Sequence, residues 1–471
     1  MLRIKPVESL LTQAEEKKLH RSLTGLDLML LGIGAIIGTG IFVLTGVGAG
    51  MAGPGLTFSF IFAGVACGFA ALAYAELAAM VPVAGSAYTY SYAVMGEAVA
   101  WLVGWNLVLE YAVSAGAVAS GWSGYMVGIL NQIGLHLPDA LTRVPKDGGL
   151  MDLPAILISL FVTALLVLGT KESVTINRVL VAIKISVLMM FLLVATPLVD
   201  PLNWDPFLPH GWFERAADGQ NVGVFAAAAI IFFAYIGFDA VSTAAEETKN
   251  PNRDVPIGLI GSLVVCTVIY IAVALVATGA LNYQQLSDSK EPLAQVLRAI
   301  DYPWLANILA VGAIAGITTV LLVLIYGQTR IFFAMSRDGL LPPLFSRVHP
   351  KYRTPHTITI ITGLFVAAVA GFFPLHEIAA LSNIGTLFAF IAVAAGVMIL
   401  RVSQPERKRP FRVPAVWFVG TMAILSCFGL MLGLPDETWE RFLYWSLVGM
   451  VIYAFYGYPR SPLHPKRRNG G

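Results

Sequence analysis

Residues 31–42 read LGIGAIIGTGIF, and residues 232–247 read FFAYIGFDAVSTAAEE. Each lies in an apolar run long enough to cross a bilayer, and each carries what such a run should avoid. The first has glycines at 32, 34, 38 and 40; the second sets Gly237 close to Asp239. A glycine costs about 1 kcal/mol relative to alanine in a helix interior, so the cluster at Gly38-Thr39-Gly40 needs a reason. One is close packing of helices through small residues; at Gly237 it is a simple kink. The other is that both spans unwind. An unwound first span leaves free N–H groups and a positive dipole end at the start of its second half, which suits a carboxylate. An unwound stretch at Phe233-Ala234-Tyr235-Ile236 exposes carbonyls, which suit an ammonium group. An anion pocket beside a cation pocket matches an α-amino acid zwitterion. A dinucleotide-binding reading fails, because the spacing is G-x-G-x-x-x-G and no strand precedes it.

The surrounding chain supports a membrane setting. Of its 471 residues 57% are hydrophobic and 12% charged, about half the charged share of a soluble domain. Windows long enough for roughly 30 Å of hydrocarbon fall at about 26–49, 54–80, 97–131, 153–170, 173–199, 221–246, 256–281, 303–332, 356–374, 378–401, 414–434 and 439–458, twelve in all. The fold expected is all-α and integral to the membrane. The N-terminus is mixed in charge and has no signal-peptide h-region, so the first window stays as a span. With the N-terminus placed in the cytoplasm, 23 of the 30 Lys and Arg fall on the cytoplasmic side and six outside, leaving Lys184 within a span. That asymmetry predicts a cytoplasmic (inner) membrane protein with both termini cytoplasmic.

The two interrupted spans are the first members of two five-span halves. Matching weak points in two halves point to an inverted-repeat transporter with a site at mid-membrane. The expected organisation is a cytoplasmic tail 1–25, a first repeat 26–199, an inverted second repeat 221–401, two further helices 414–458, and a cytoplasmic tail 459–471.

Three ionisable groups within spans stand out. Lys184, in VLVAIKISVLMMF, is costly in mid-membrane; it either snorkels to the cytoplasmic interface or couples transport to protons. Glu110 and Asp239 either hold the bundle together or line a wet cavity near the substrate. Glu246, Glu247, Glu76 and Arg330 read as solvated helix ends, and Cys67, Cys266 and Cys427 as small core residues. There is no P-loop, HExxH or nucleophile elbow, so no enzyme is expected, and transport must run on a gradient.

The stretches LGIGAIIGTGIFVLTG, VPVAGSAYTYSYAVMGE, GWNLVLEY, FFAYIGFDAVSTAAEETKNPNRDVPIG and GITTVLLVLIYGQTRIFFAMSRDGLLP resemble the cationic-amino-acid-transporter branch of the amino acid–polyamine–organocation superfamily. The resemblance covers nearly the whole chain. It implies a LeuT-type fold of 5+5 inverted repeats plus two helices, working by alternating access. It further implies a carboxylate site at Gly38, Thr39, Gly40 and Ile41, and an ammonium site on carbonyls of Ile36, Phe233, Ala234 and Ile236. Glu110, Asp239 and Leu324 would face the side-chain pocket, and Lys184 would serve proton coupling. Leu324 and Ile325 offer nothing to a cationic side chain, whose unpaired charge would be costly in an apolar pocket. The substrate expected is therefore a small neutral L-amino acid, with arginine or lysine second; an exchanger, a polyamine carrier and a non-transporting sensor are the other readings. No cofactor is expected beyond the proton. The partners expected are the amino acid and the bilayer, with a small membrane subunit left open and nucleic acid excluded.

Overall fold

The computed structural model describes residues 3–5, 23–81, 86–169, 174–216, 219, 221–351 and 354–463. Lys171 and the side chain of Glu246 lie outside them. Among the described residues the chain is helical almost throughout, with a single sheet, a two-stranded hairpin pairing Glu214–Arg215 with Asn221–Val222.

The first apolar window is two helical pieces. Helix α1 (Gly25–Ile36) starts at a capping box in which Thr24 and Asp27 bond each other's backbone N–H, satisfying two donors that every helix start leaves open. It stops at Ile37, whose backbone is extended. The chain re-forms a helix through a π-turn, Gly40–Leu44, and continues as α2 (Thr45–Ala52). Next come α3 (Leu56–Met80), α4 (Ser86–Val94), α5 (Glu97–Gln132), α6 (Leu153–Leu168) and α7 (Val174–Ala195).

The sixth window breaks likewise. Helix α8 (Val224–Ile231) tightens into a 3₁₀ turn, Phe232–Tyr235, and Ile236 is extended. Gly237 then takes φ +112°, and a Cβ there would sit 2.9 Å from the carbonyl oxygen of Ala35. Only glycine suits that backbone so close to another chain segment. A single helical turn, Ala240–Thr243, follows. Helices α9 (Pro251–Ala280), α10 (Pro292–Ala299), α11 (Pro303–Arg337), α12 (His356–Phe372), α13 (Leu375–Ser403), α14 (Val416–Leu432) and α15 (Asp436–Ile452) are the main helices that follow.

Every expected window falls on helix, but single helices do not deliver twelve crossings by length. Among the described residues seven are long and apolar enough, or eight if the pair Val416–Leu432 and Asp436–Arg460, bent by 114°, is one span. Helices α1, α6 and α12 are apolar but have 12, 16 and 17 residues, about 18–26 Å at 1.5 Å per residue. A span in two pieces, or a short one, falls outside a length test.

The long helices α5 and α11, of 36 and 35 residues, pack along one another, and Trp122 on one donates to Thr318 on the other at 3.0 Å. Helix α9 packs against both α1 and α3. These helices surround the two breaks, which meet in the middle of the core.

Glu76 departs from the sequence expectation. It lies 1% exposed near the end of α3, and accepts from Arg401 at 2.9 and 2.5 Å and from the Val413 N–H at 2.7 Å. The loop after α13 folds back over the helix end, so the carboxylate is covered and paired rather than solvated. Arg330 is exposed and stacks on Tyr326. The three cysteines are buried and free.

Candidate functional site

Each break in a helix strands backbone groups, and their partners define this site. In α1 the carbonyl of Gly34 would normally accept from the N–H four residues on, which the break removes. The Lys184 ammonium donates to it instead, at 2.6 Å from Nζ to O. Lys184 is fully buried, so it does not snorkel. The Ile36 carbonyl is likewise left over, and Tyr270 Oη stands 2.9 Å from it and 3.1 Å from the Ala234 carbonyl. One hydroxyl thus ties the end of α1 to the second break. On the N-terminal side of the second break, Asn383 Nδ2 donates to the carbonyls of Ala229 and Ile230 at 2.7 and 2.8 Å.

Beyond the first break the N–H groups of Thr39, Gly40 and Ile41 have no backbone acceptor among the described residues. They form a short positive helix end facing the second break across a very small gap. A Cβ at Gly40 would lie 2.2 Å from Ala234 Cα. The Thr39 hydroxyl points the other way, toward the Val118 carbonyl at 3.5 Å.

The breaks enclose a cavity of about 20 Å³ lined by Ala35, Ile36, Gly38, Thr39, Gly40, Ser114, Val118, Phe233, Ile236, Val320 and Leu324. That is room for about one water molecule, so the site is closed. Seven of the residues expected at the site line it: Ile36, Gly38, Thr39, Gly40, Phe233, Ile236 and Leu324. Ile41 and Ala234 sit one residue behind the lining. Lys184 is also outside it, reaching the site only through the Gly34 carbonyl.

Glu110 and Asp239 do not line this cavity. Asp239 accepts from Ser86 at 3.4 Å and from Tyr111 at 3.5 Å. Glu110 is 1% exposed, and its Oε2 has no hydrogen-bond partner. It stands one helical turn from Ser114, whose hydroxyl lies against that of Ser382 on α13.

Sequence reading missed Tyr270, Asn383, Ser114, Val118 and Val320. Tyr270 and Asn383 had a usable signal, since each is a strong hydrogen-bonding group in an apolar span. The valines had none, because nothing separates a cavity-facing valine from its neighbours in such a run.

The profile of the family described as amino acid permease matches residues 23–454. Among similar proteins, the branched-chain amino acid permease BcaP of Bacillus subtilis (strain 168) is 49% identical over 469 residues, covering 98% of this chain and 99% of that protein. The methylthioribose transporter of the same organism is 47% identical over 98% of this chain and 99% of its own length. The vacuolar cationic amino acid transporter 4 of Arabidopsis thaliana is 38% identical over 86% of this chain and 68% of its own. Together with the all-helical fold and its two broken spans, these matches make the chain a multi-pass membrane protein that belongs to the amino acid permease family.

Proposed function

We propose that this permease imports neutral apolar L-amino acids by alternating access, with the zwitterion held between the two breaks. The observation that carries this reading is the wall of the closed cavity. Val118, Phe233, Ile236, Val320 and Leu324 surround it, and no charged side chain is among its lining residues. A lysine or arginine side chain there would be an unpaired buried charge, whereas a branched or small aliphatic one would meet mainly methyl groups and a ring. The free N–H groups at Thr39, Gly40 and Ile41 receive the carboxylate, and the carbonyls of Ile36, Phe233, Ala234 and Ile236 receive the ammonium. The high identity to a protein named for branched-chain amino acids supports the aliphatic class.

The driving ion in this reading is the proton, acting at Lys184. When charged, the ammonium holds the inner half of the first span through Gly34; when neutral, it holds it more weakly. Both termini face the cytoplasm, and the two five-span halves are inverted repeats related through the paired breaks.

A second reading comes from the relative named for methylthioribose, a sugar with neither carboxylate nor ammonium. Proteoliposome uptake of labelled leucine, alanine, arginine and methylthioribose, under separate proton and sodium gradients, tests both. Leucine or alanine uptake driven by the proton gradient is the expected result. Transport of arginine or methylthioribose alone would overturn it.

A further inference from the structure

The loop between α13 and α14 concentrates charge of one sign. Arg401, Arg407, Lys408, Arg409 and Arg412 lie within twelve residues that contain one acid, Glu406. Among the described residues folding adds one more carboxylate, the buried Glu76, which pairs with Arg401 at 2.5 Å and with Arg409 at 3.3 Å. One carboxylate facing two guanidiniums leaves the neighbourhood positive. Burial, and after it the surrounding cations Arg401, Arg412 and Arg407, hold the Arg409 guanidinium below its ordinary pKa, with Glu76 opposing.

Beside this cluster lies a cavity of about 530 Å³, bounded by Arg401, Arg412, Pro414, Ala415, Val416 and Trp417. Arg412 is exposed and makes no hydrogen bond or ion pair among the described residues. Its guanidinium is thus a strong bidentate donor without an acceptor. The backbone adds more donors. Ala415 takes φ +41°, and α14 begins there with no side-chain cap. Its first N–H groups, at Val416 and Trp417, have no backbone acceptor among the described residues. A helix start that opens on arginines favours an anion.

The surroundings say what kind of anion. Trp417 is 56% exposed and Phe418 61%, and Leu425 and Leu432 continue the same outward face of α14 at seven-residue steps. An exposed tryptophan at the end of an apolar helix marks the headgroup level of a bilayer. Below it lies a surface for acyl chains; above it lie the cations.

We propose that the cavity between Arg401, Arg412 and the start of α14 binds the phosphate headgroup of an anionic phospholipid, with its acyl chains along the outward face of α14. Arg412 and the free N–H groups hold the phosphate, while Arg401 stays committed to Glu76 and fixes the cavity floor.

The test is native mass spectrometry of the delipidated full-length protein with phosphatidylglycerol and with phosphatidylcholine of matched chains. Wild type is expected to retain phosphatidylglycerol selectively. Arg412→Ala should weaken that retention about fivefold, the worth of one cation at an anionic surface. Lys408→Ala, which removes the same charge from an exposed residue outside the cavity lining, should leave it unchanged. Equal loss in both variants would reduce the effect to bulk charge and overturn the site. Unaltered retention in Arg412→Ala, or no preference for phosphatidylglycerol in wild type, would overturn it as well. Displacement of the lipid by excess inorganic phosphate would make it a soluble-anion site instead, against the proposal.

Discussion

Ala234 occupies the space that any side chain on Gly40 would need, its Cα standing 2.2 Å from where a Cβ would be. The two broken spans therefore touch backbone to backbone, and neither can be understood alone. Gly40→Ala must push them apart, at about 1–3 kcal/mol for overpacking of this kind. The expected outcome is a protein that still inserts and purifies but melts lower and loses uptake, read by thermal shift in detergent and proteoliposome transport. Unchanged uptake would show that the breaks need not meet this closely.

Tyr270→Phe keeps the ring and removes the hydroxyl that spans the Ile36 and Ala234 carbonyls. Stability should fall by about 1 kcal/mol, the net worth of an ordinary hydrogen bond. Substrate binding should weaken too, because both carbonyls lose the group that sets their spacing. Isothermal titration with the preferred amino acid reads the second effect, and a purely structural role would leave the dissociation constant unmoved.

Leu324→Ser removes much of one wall of the closed cavity and adds a hydroxyl. The competition profile across amino acids should move toward longer or cationic side chains at the expense of aliphatic ones. A profile identical to wild type would place Leu324 away from the substrate side chain.

Lys184→Ala leaves the Gly34 carbonyl buried without a donor, a cost of about 1–3 kcal/mol. Uptake driven by an imposed pH gradient should disappear. Gradient-driven uptake that survives intact would dismiss the proposed coupling role.

Glu76→Gln leaves Arg401 and Arg409 without their shared counter-charge. Breaking a buried pair from one side costs about 3–5 kcal/mol, so the midpoint of thermal unfolding should drop sharply. Arg401→Met with Glu76→Leu, which removes both charges of the closer pair, should recover part of the loss.

The parts of this fold that follow from one-dimensional pattern were legible in the sequence. Apolar length located the helices to within a few residues, and clustered glycines pointed to both breaks, since they weaken a helix that must cross the bilayer. Six of the twelve residues expected at the site line its cavity at those breaks, because backbone unwinding is a local property; Leu324, which also lines it, came from the family resemblance. What pattern did not convey was the identity of partners far along the chain. Tyr270 meets Ile36 across 234 positions and Asn383 meets Ala229 across 154, distances over which periodicity is silent. Glu76 looked like a solvated helix end for the same reason. Its cover comes from a loop more than 300 residues later.

The Tyr270 hydroxyl carries a single hydrogen, yet two carbonyl oxygens lie within its reach. Neither accepts from a backbone N–H among the described residues. The hydroxyl can therefore donate to only one of the two carbonyls at any instant. In the function proposed above, the substrate ammonium, with three hydrogens, serves the other. Under the proposed function, closing around cargo then costs less than closing without it, which opposes idle turnover.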